Sequence, residues 1–146
     1  MVGAYEMTRI FAPLLIDSED PRLLFITSGL SSIEIASDAS HPKYQIPPAG
    51  WPKEKLGQPA YKSSKAGLNM VMVEWHRILQ KDGVKVWSIA PGLLATGLGG
   101  NREFLKKMGA GDPSIGGRVI RNVVEGKRDG ETGKVVREYD SPIQPW

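Results

Sequence analysis

Tyr61 stands four residues before Lys65 in "QPAYKSSKAGLNM", residues 58–70, where a segment of helical periodicity begins. Residues four apart on a helix lie on one face, one turn above the other, so the phenol and the ammonium share a small patch. A phenol normally gives up its proton near pH 10, and an ammonium beside it favours the phenolate. Such a pair can act as an acid/base catalyst near neutral pH. Two further hydroxyl groups could join it. Ser28 closes the apolar run "RLLFITS", and Thr96 follows the Pro91-Gly92 pair that ends "VKVWSIA". In open parallel sheets, ligands gather beyond the carboxyl ends of the strands, where all of these residues are expected. There Ser28 could hydrogen-bond a substrate carbonyl while Tyr61 supplies or removes its proton. Taken singly, each has a plainer reading: a solvated helix lysine, a half-buried aromatic, a strand-end serine and a turn threonine.

The elements that would position these residues follow from periodicity and punctuation. Residues 3–16 carry Met7, Ile10, Phe11 and Leu14 at helical spacing. "RLLFITS" reads as a strand buried on both faces. Residues 33–58, with Pro42, Pro47, Pro48 and Pro52, read as a long connection of a kind that is usually functional or disordered. Over 60–80, Leu68, Val71, Met72, Trp75 and Leu79 form one apolar stripe, and Ala66, Met70 and Val73 add a second flank. This predicts a helix covered on more than one side. "VKVWSIA" is a second buried strand. Asn101 caps a short helix to Met108, Asp112-Pro113 opens another that runs to Gly126, and "GKVVREY" is a third strand. Strands alternating with helices predict right-handed crossovers and a parallel sheet. Three strands are few for such a sheet, and one edge is expected to expose unpaired backbone.

Composition narrows the classes of function. The 146 residues fit one domain, with ordinary hydrophobic (40%) and charged (24%) content. There is no cysteine, which excludes disulfides and thiolate metal sites and allows a reducing compartment. His41 and His76 are the only histidines and lack ligand spacing, so no metal is expected. The net charge of +3 is spread through "WPKEKLG", "FLKKMG" and "EGKRDG", a solvated pattern rather than a nucleic-acid stripe. The longest apolar run, "IFAPLLI", is far too short for a membrane span, and Glu6 and Arg9 interrupt any signal-peptide pattern. The expectation is a cytoplasmic protein that binds neither nucleic acid nor membrane.

Together, "ITSGLSS", "YKSSK" and "PGLLAT" resemble the short-chain dehydrogenases/reductases, in the order and context that family uses. The resemblance covers essentially the whole chain but only the second half of the family's fold. It implies an α/β protein, the C-terminal half of a Rossmann-like doubly wound parallel sheet, with three parallel strands and flanking helices. Residues 1–146 would form one partial NAD(P)-binding domain with a long substrate-side loop at 33–58. The implied reaction interconverts a carbonyl and an alcohol by hydride transfer, with NAD or NADP as cofactor. By the same resemblance Tyr61 is the general acid/base, Lys65 eases its proton transfer and hydrogen-bonds the nicotinamide ribose, and Ser28 orients the carbonyl. The Pro91–Gly92 segment would lie along the nicotinamide, with the backbone near Leu94 and the side chain of Thr96 holding the carboxamide and phosphates. Family members use the equivalents of helix 60–80 to dimerise, which implies a homodimer through helices 60–80 and 3–16.

Two departures accompany the resemblance. Ser28 and Tyr61 lie farther apart in sequence than in many family members, and the added residues are expected beside the substrate pocket. The family's Thr-Gly-x-x-x-Gly-x-Gly turn has no counterpart, since "TGLGGN" has different spacing. The expectation is therefore a truncated unit that by itself binds NAD(P)H poorly. Two rivals stand beside this reading. A serine hydrolase would use Ser28 with His41 or His76, but no Gly-x-Ser-x-Gly elbow surrounds Ser28. A non-catalytic interaction module could retain half of a dehydrogenase fold.

Overall fold

The computed structural model describes residues 2–42, 44–54, 56–98, 100–139 and 141–146. Helix α1 (Val2–Ile16) leads into strand β1 (Arg22–Ile26), and a single 3-10 turn at Gly29–Ser31 precedes a short helix α2 (Ile33–Ser37). Helix α3 (Pro59–Leu79) is followed by strand β2 (Lys85–Ile89). Helices α4 (Arg102–Lys107) and α5 (Pro113–Val124) then lead to the two-residue strand β3, Val135–Val136. The strands pair in parallel in the order β1-β2-β3. Proline at the first turn of α3 costs no hydrogen bond, and Gly83 at φ 73° lets the chain turn away after the 3-10 turn at Gln80–Asp82. The Asp112 carboxylate accepts from Ser114 N at 2.8 Å and caps α5.

The core has two layers, one on each face of β2. Leu68, Met72, Trp75 and Leu79 of α3 pack with Phe25, Val84 and Val86 on one face. On the other, Val119 and Val123 of α5 pack with Trp87, Ile89 and Val136. Because side chains alternate along a strand, Val86 and Trp87 must serve opposite faces, and both are fully buried. This explains why "VKVWSIA" is apolar without alternation.

The two connections step across the sheet in the same direction, β1 to β2 to β3, yet α3 and α5 cover opposite faces. One of the two crossovers is therefore left-handed, against the expectation that both are right-handed. The chain between β2 and α5 is long enough, with α4 inside it, to round the sheet end before helix α5 docks.

Other expectations are corrected by burial. β1 is not buried on both faces: Phe25 is covered, Leu23 and Leu24 are half-buried and Ile26 is exposed. Among the described residues β1 pairs only with β2, and a groove of about 500 Å³ lined by Phe11, Leu14, Pro21, Leu24 and Val124 runs beside it. The second flank of α3 is covered only in part: Ala66 is half-buried and Val73 packs against the core, while Met70 faces solvent, as do Ile10 and Leu14 of α1. The connection 33–58 is not wholly irregular, because Ser32 caps α2 by accepting from Ile35 N at 3.0 Å. The third strand is shorter than "GKVVREY" predicts, because Arg137 already turns the chain back, its Nε donating to Ser141 O at 2.8 Å.

An ion cluster fastens the amino ends of the strands. Arg22 opens β1 and faces Lys85, which opens β2. Arg22 donates to Asp129 at 2.6 and 3.0 Å, to Asp20 at 2.8 and 3.0 Å, and to Val123 O at 2.9 Å. Lys85 Nζ reaches Asp129 at 2.7 Å and Asp20 at 2.8 Å. The hydrogen bonds from Arg22, then those from Lys85, hold the Asp129 carboxyl well below the usual carboxylate range. A carboxyl so depressed contributes stability that is fully present above about pH 4 and is lost as the pH falls toward its lowered value. Asp129→Asn should therefore lower the thermal midpoint at pH 7, by about 2–4 °C for each kcal/mol lost. The gap between variant and parent should narrow below pH 4. Calorimetry across pH checks this, and a gap that does not change with pH would exclude the charge as its source.

Candidate functional site

The carboxyl end of β1 is stitched to α3 by Lys65. Its Nζ donates to the carbonyl of Ile26 at 2.8 Å, and the Thr27 hydroxyl donates to the Lys65 carbonyl at 3.3 Å. Thr27 N also donates to Ile89 O at 2.8 Å, so the ends of β1 and β2 stay level. Tyr61 sits one turn before Lys65, 41% exposed, with Lys65 Nζ 5.9 Å from its ring centroid. The helical spacing thus becomes a real proximity of ammonium and phenol.

Ser28 follows in extended backbone (φ −151°, ψ 151°) and caps the 3-10 turn. Its Oγ accepts from Leu30 N at 3.2 Å. A hydroxyl that accepts in this way still has its proton to donate and a second lone pair. Beneath it lies a buried polar network that sequence reasoning missed. Ser31 Oγ donates to Ser28 O at 2.6 Å while accepting from Asn69 Nδ2 at 2.8 Å and Gln144 Nε2 at 2.9 Å. Asn69 had a signal, since it continues the Tyr61–Lys65 face by one more turn. Gln144 had none.

The segment after β2 lies beside this turn. Gly92 has φ 93°, and a Cβ there would come within 3.2 Å of the Tyr139 ring, while a Cβ on Gly29 would meet the Tyr139 hydroxyl. Tyr139 therefore packs where the loops after β1 and β2 meet, and the two glycines leave it room. Pro91 and Leu94 are turned toward α5 instead: a Cβ on Gly116 would come within 3.1 Å of Pro91 Cβ and 2.6 Å of Leu94 Cδ1. Leu94 offers a ligand only its backbone. Thr96 occupies a tight turn, its N donating to Leu94 O at 2.8 Å and its hydroxyl accepting from Leu98 N at 3.2 Å. Lys65 thus meets the end of β1, Ser28 follows two residues beyond the carbonyl it binds, and Tyr61 lies one helical turn from Lys65. Thr96 lies on a separate turn beyond β2.

A cavity of about 340 Å³ opens between the Ser28 turn, α2 and α3. Leu30, Ile33 and Ala36 give it an apolar wall, and Lys62 and Ser63 a polar rim. His76 does not share this end. His76 lies against Gly133, ahead of β3 and so at the amino end of the sheet, which leaves it apart from Ser28. Among the described residues no cluster of His, Asp or Glu could hold a metal, and no helix is long and apolar enough to cross a membrane.

The family model for short chain dehydrogenase matches residues 50–104, which hold Tyr61, Lys65 and the Pro91–Thr96 segment. The short-chain dehydrogenase/reductase eupG of Phoma sp is 48% identical across the whole chain, and tropE of Talaromyces stipitatus is likewise 48% identical. Along its whole length the chain is similar to short-chain dehydrogenases/reductases. It spans 55% of the length of each of these relatives. The carbonyl reductase Sniffer of D. melanogaster superposes with a TM-score of 0.69 at 20% identity, over all of this chain and 54% of that one. The TT0495 protein of Thermus thermophilus superposes at 0.63, also at 20% identity, over 92% of this chain and 54% of its own. These likenesses establish the Rossmann-like α/β fold of the dehydrogenase/reductase family for the three parallel strands and their helices.

Gly92 gives a direct test of how closely the loops after β1 and β2 pack. Gly92→Ala places a side chain on a left-handed backbone and against Tyr139, and the backbone alone costs about 1–2 kcal/mol. A urea midpoint lowered to match is expected, and an unchanged midpoint would refute the packing.

Proposed function

We propose that this chain forms the catalytic part of an NAD(P)-dependent oxidoreductase that interconverts a carbonyl and an alcohol. The observation that supports this most strongly is the bond from Lys65 Nζ to Ile26 O, two residues before Ser28, with Tyr61 one turn earlier on the same helix. In this reading the Tyr61 phenol gives its proton to the substrate oxygen during reduction and recovers it during oxidation. The Ser28 hydroxyl donates to the same oxygen and stabilises the negative charge that develops there. Lys65 sets a positive charge beside the phenol as the proton moves.

The residues present suit the nicotinamide side of a cofactor. A phenol, an ammonium and the backbone of the Pro91–Thr96 segment share the carboxyl end of the sheet, and NAD(P) when bound supplies or accepts the hydride. The pyrophosphate side is less well served. The N-terminus of α5 is already taken by the Asp112 carboxylate, a poor neighbour for a phosphate. Tyr61 and Lys65 would hold the ribose and nicotinamide.

The test follows NAD(P)H absorbance with small aryl and alkyl carbonyls. It uses the chain alone and the chain joined to the remaining segment of the Phoma relative. Tyr61→Phe keeps the ring but removes the proton, so turnover should fall about 10²–10⁴-fold with the fold intact. Normal turnover by the variant would remove Tyr61 from the chemistry.

In this reading the connection 33–58 lies on the substrate side; Ile33 and Ala36 of α2 support it by walling a cavity next to the turn that follows Ser28, although Ser28, Tyr61 and Lys65 do not line that cavity. Replacing residues 38–52 by a short flexible linker should alter the preference between bulky and small carbonyls by about tenfold or more. Hydride transfer to the preferred substrate should persist. An unchanged ratio of kcat/KM values would exclude the loop from substrate choice.

A further inference from the structure

The segment after β3 returns along that strand. Gln144 N donates to Val135 O at 2.9 Å, Arg137 N to Pro142 O at 3.1 Å, and Val136 and Ile143 form an antiparallel bridge. Ile143 packs with the α5 layer of the core, and the next residue, Gln144, reaches Ser28. Its Nε2 donates to Ser31 Oγ at 2.9 Å and lies 3.4 Å from Ser28 O. The segment finishes on the start of α2, where Trp146 O accepts from Ser32 Oγ at 3.0 Å and Glu34 N at 2.5 Å.

We propose that Gln144 is a positioning residue, which with Asn69 fixes the turn that presents the Ser28 hydroxyl. The proposal rests on the reading of Ser28 as a substrate-binding hydroxyl. Ser31 Oγ is the hub. A hydroxyl has one proton and two lone pairs, and here all three are used, toward Ser28 O, Asn69 and Gln144. Each bond restricts the orientation of the others, so the carbonyl of Ser28 is held from below by both helix α3 and the C-terminal segment.

The same network is a poor device for stability alone. Ser31, Asn69 and Gln144 are each at most 3% exposed. Asn69 Oδ1 and Gln144 Oε1 are buried and find no partner among the described residues. A buried acceptor without a donor costs free energy, and an apolar side chain of similar shape would avoid that cost. A polar group retained at such a cost directly beneath the candidate serine is what positioning requires.

Gln144→Met keeps the length and volume of the side chain and removes its amide, both the Nε2 donor and the Oε1 acceptor. In the 146-residue chain, amide hydrogen exchange followed by NMR should quicken roughly tenfold or more at Leu30 and Ser31, with β2 amides unchanged. The Ser28 carbonyl ¹³C resonance should shift, and the thermal midpoint should hold or rise. A lowered midpoint with uniformly faster exchange, or no change at Leu30 and Ser31, would overturn the proposal. A second arm uses the chain joined to the segment of the Phoma relative. There kcat should fall with KM for the carbonyl little changed, and Asn69→Leu should behave alike. Full kcat in both variants would also overturn it. Reduction absent from the parent itself would instead overturn the proposed function, while the exchange and the carbonyl resonance still decide whether Gln144 holds the turn.

Discussion

The ammonium of Lys65 is committed to a backbone carbonyl, that of Ile26 at 2.8 Å, and this contact fixes where the other site residues lie. The carbonyl belongs to the last residue of β1, so the bond registers helix α3 against the strand end. Thr27 answers with a bond to the Lys65 carbonyl, which closes a small ring of two hydrogen bonds between helix and strand. Tyr61, one turn earlier on α3, and Ser28, two residues beyond Ile26, then have little freedom relative to each other. A lysine in this place does two things: it ties two elements together and keeps a positive charge beside the phenol.

The two ends of the sheet are fastened by different chemistry. At the amino ends Arg22, Lys85, Asp20 and Asp129 form a charged cluster, with the Arg22 guanidinium also 5.6 Å from the Trp87 ring centroid. At the carboxyl ends the Lys65 ammonium holds a backbone carbonyl, and neutral hydroxyls and amides add to it through Ser31, Asn69 and Gln144. The charged cluster needs only to hold α5 and two strands in place, and water can reach part of it. The neutral network is buried beneath the Ser28 turn, and its hydrogen bonds converge on Ser31 Oγ.

The C-terminal segment is the part of the chain whose role is least like its appearance in sequence. Among the described residues the chain after β3 shows an antiparallel return, yet it touches the Ser28 turn, the Gly92 loop and the start of α2. This works because loops beyond strand ends are close in space even when distant in sequence. Gln144 and Ser31 are 113 positions apart and share a hydrogen bond.

Much of this was legible in the residues themselves. Periodicity marks α3 and its Leu68–Met72–Trp75–Leu79 stripe, caps mark α4 and α5, and the unalternating "VKVWSIA" marks the central strand. Those features are local, set by rotamer geometry, orphan backbone groups and burial on two faces. The Tyr61–Lys65 pair was legible for the same reason, since helical spacing guarantees its proximity. The crossover hand, the exposure of β1 and the short β3 were not legible, because each depends on what packs against the element rather than on its own residues. Nor were the partners of Ser31. Ser31 and Gln144 carry no periodic signal, and Asn69 carries only its place one turn beyond Lys65. Only the folded chain, by removing water from all three at once, forces them to satisfy one another.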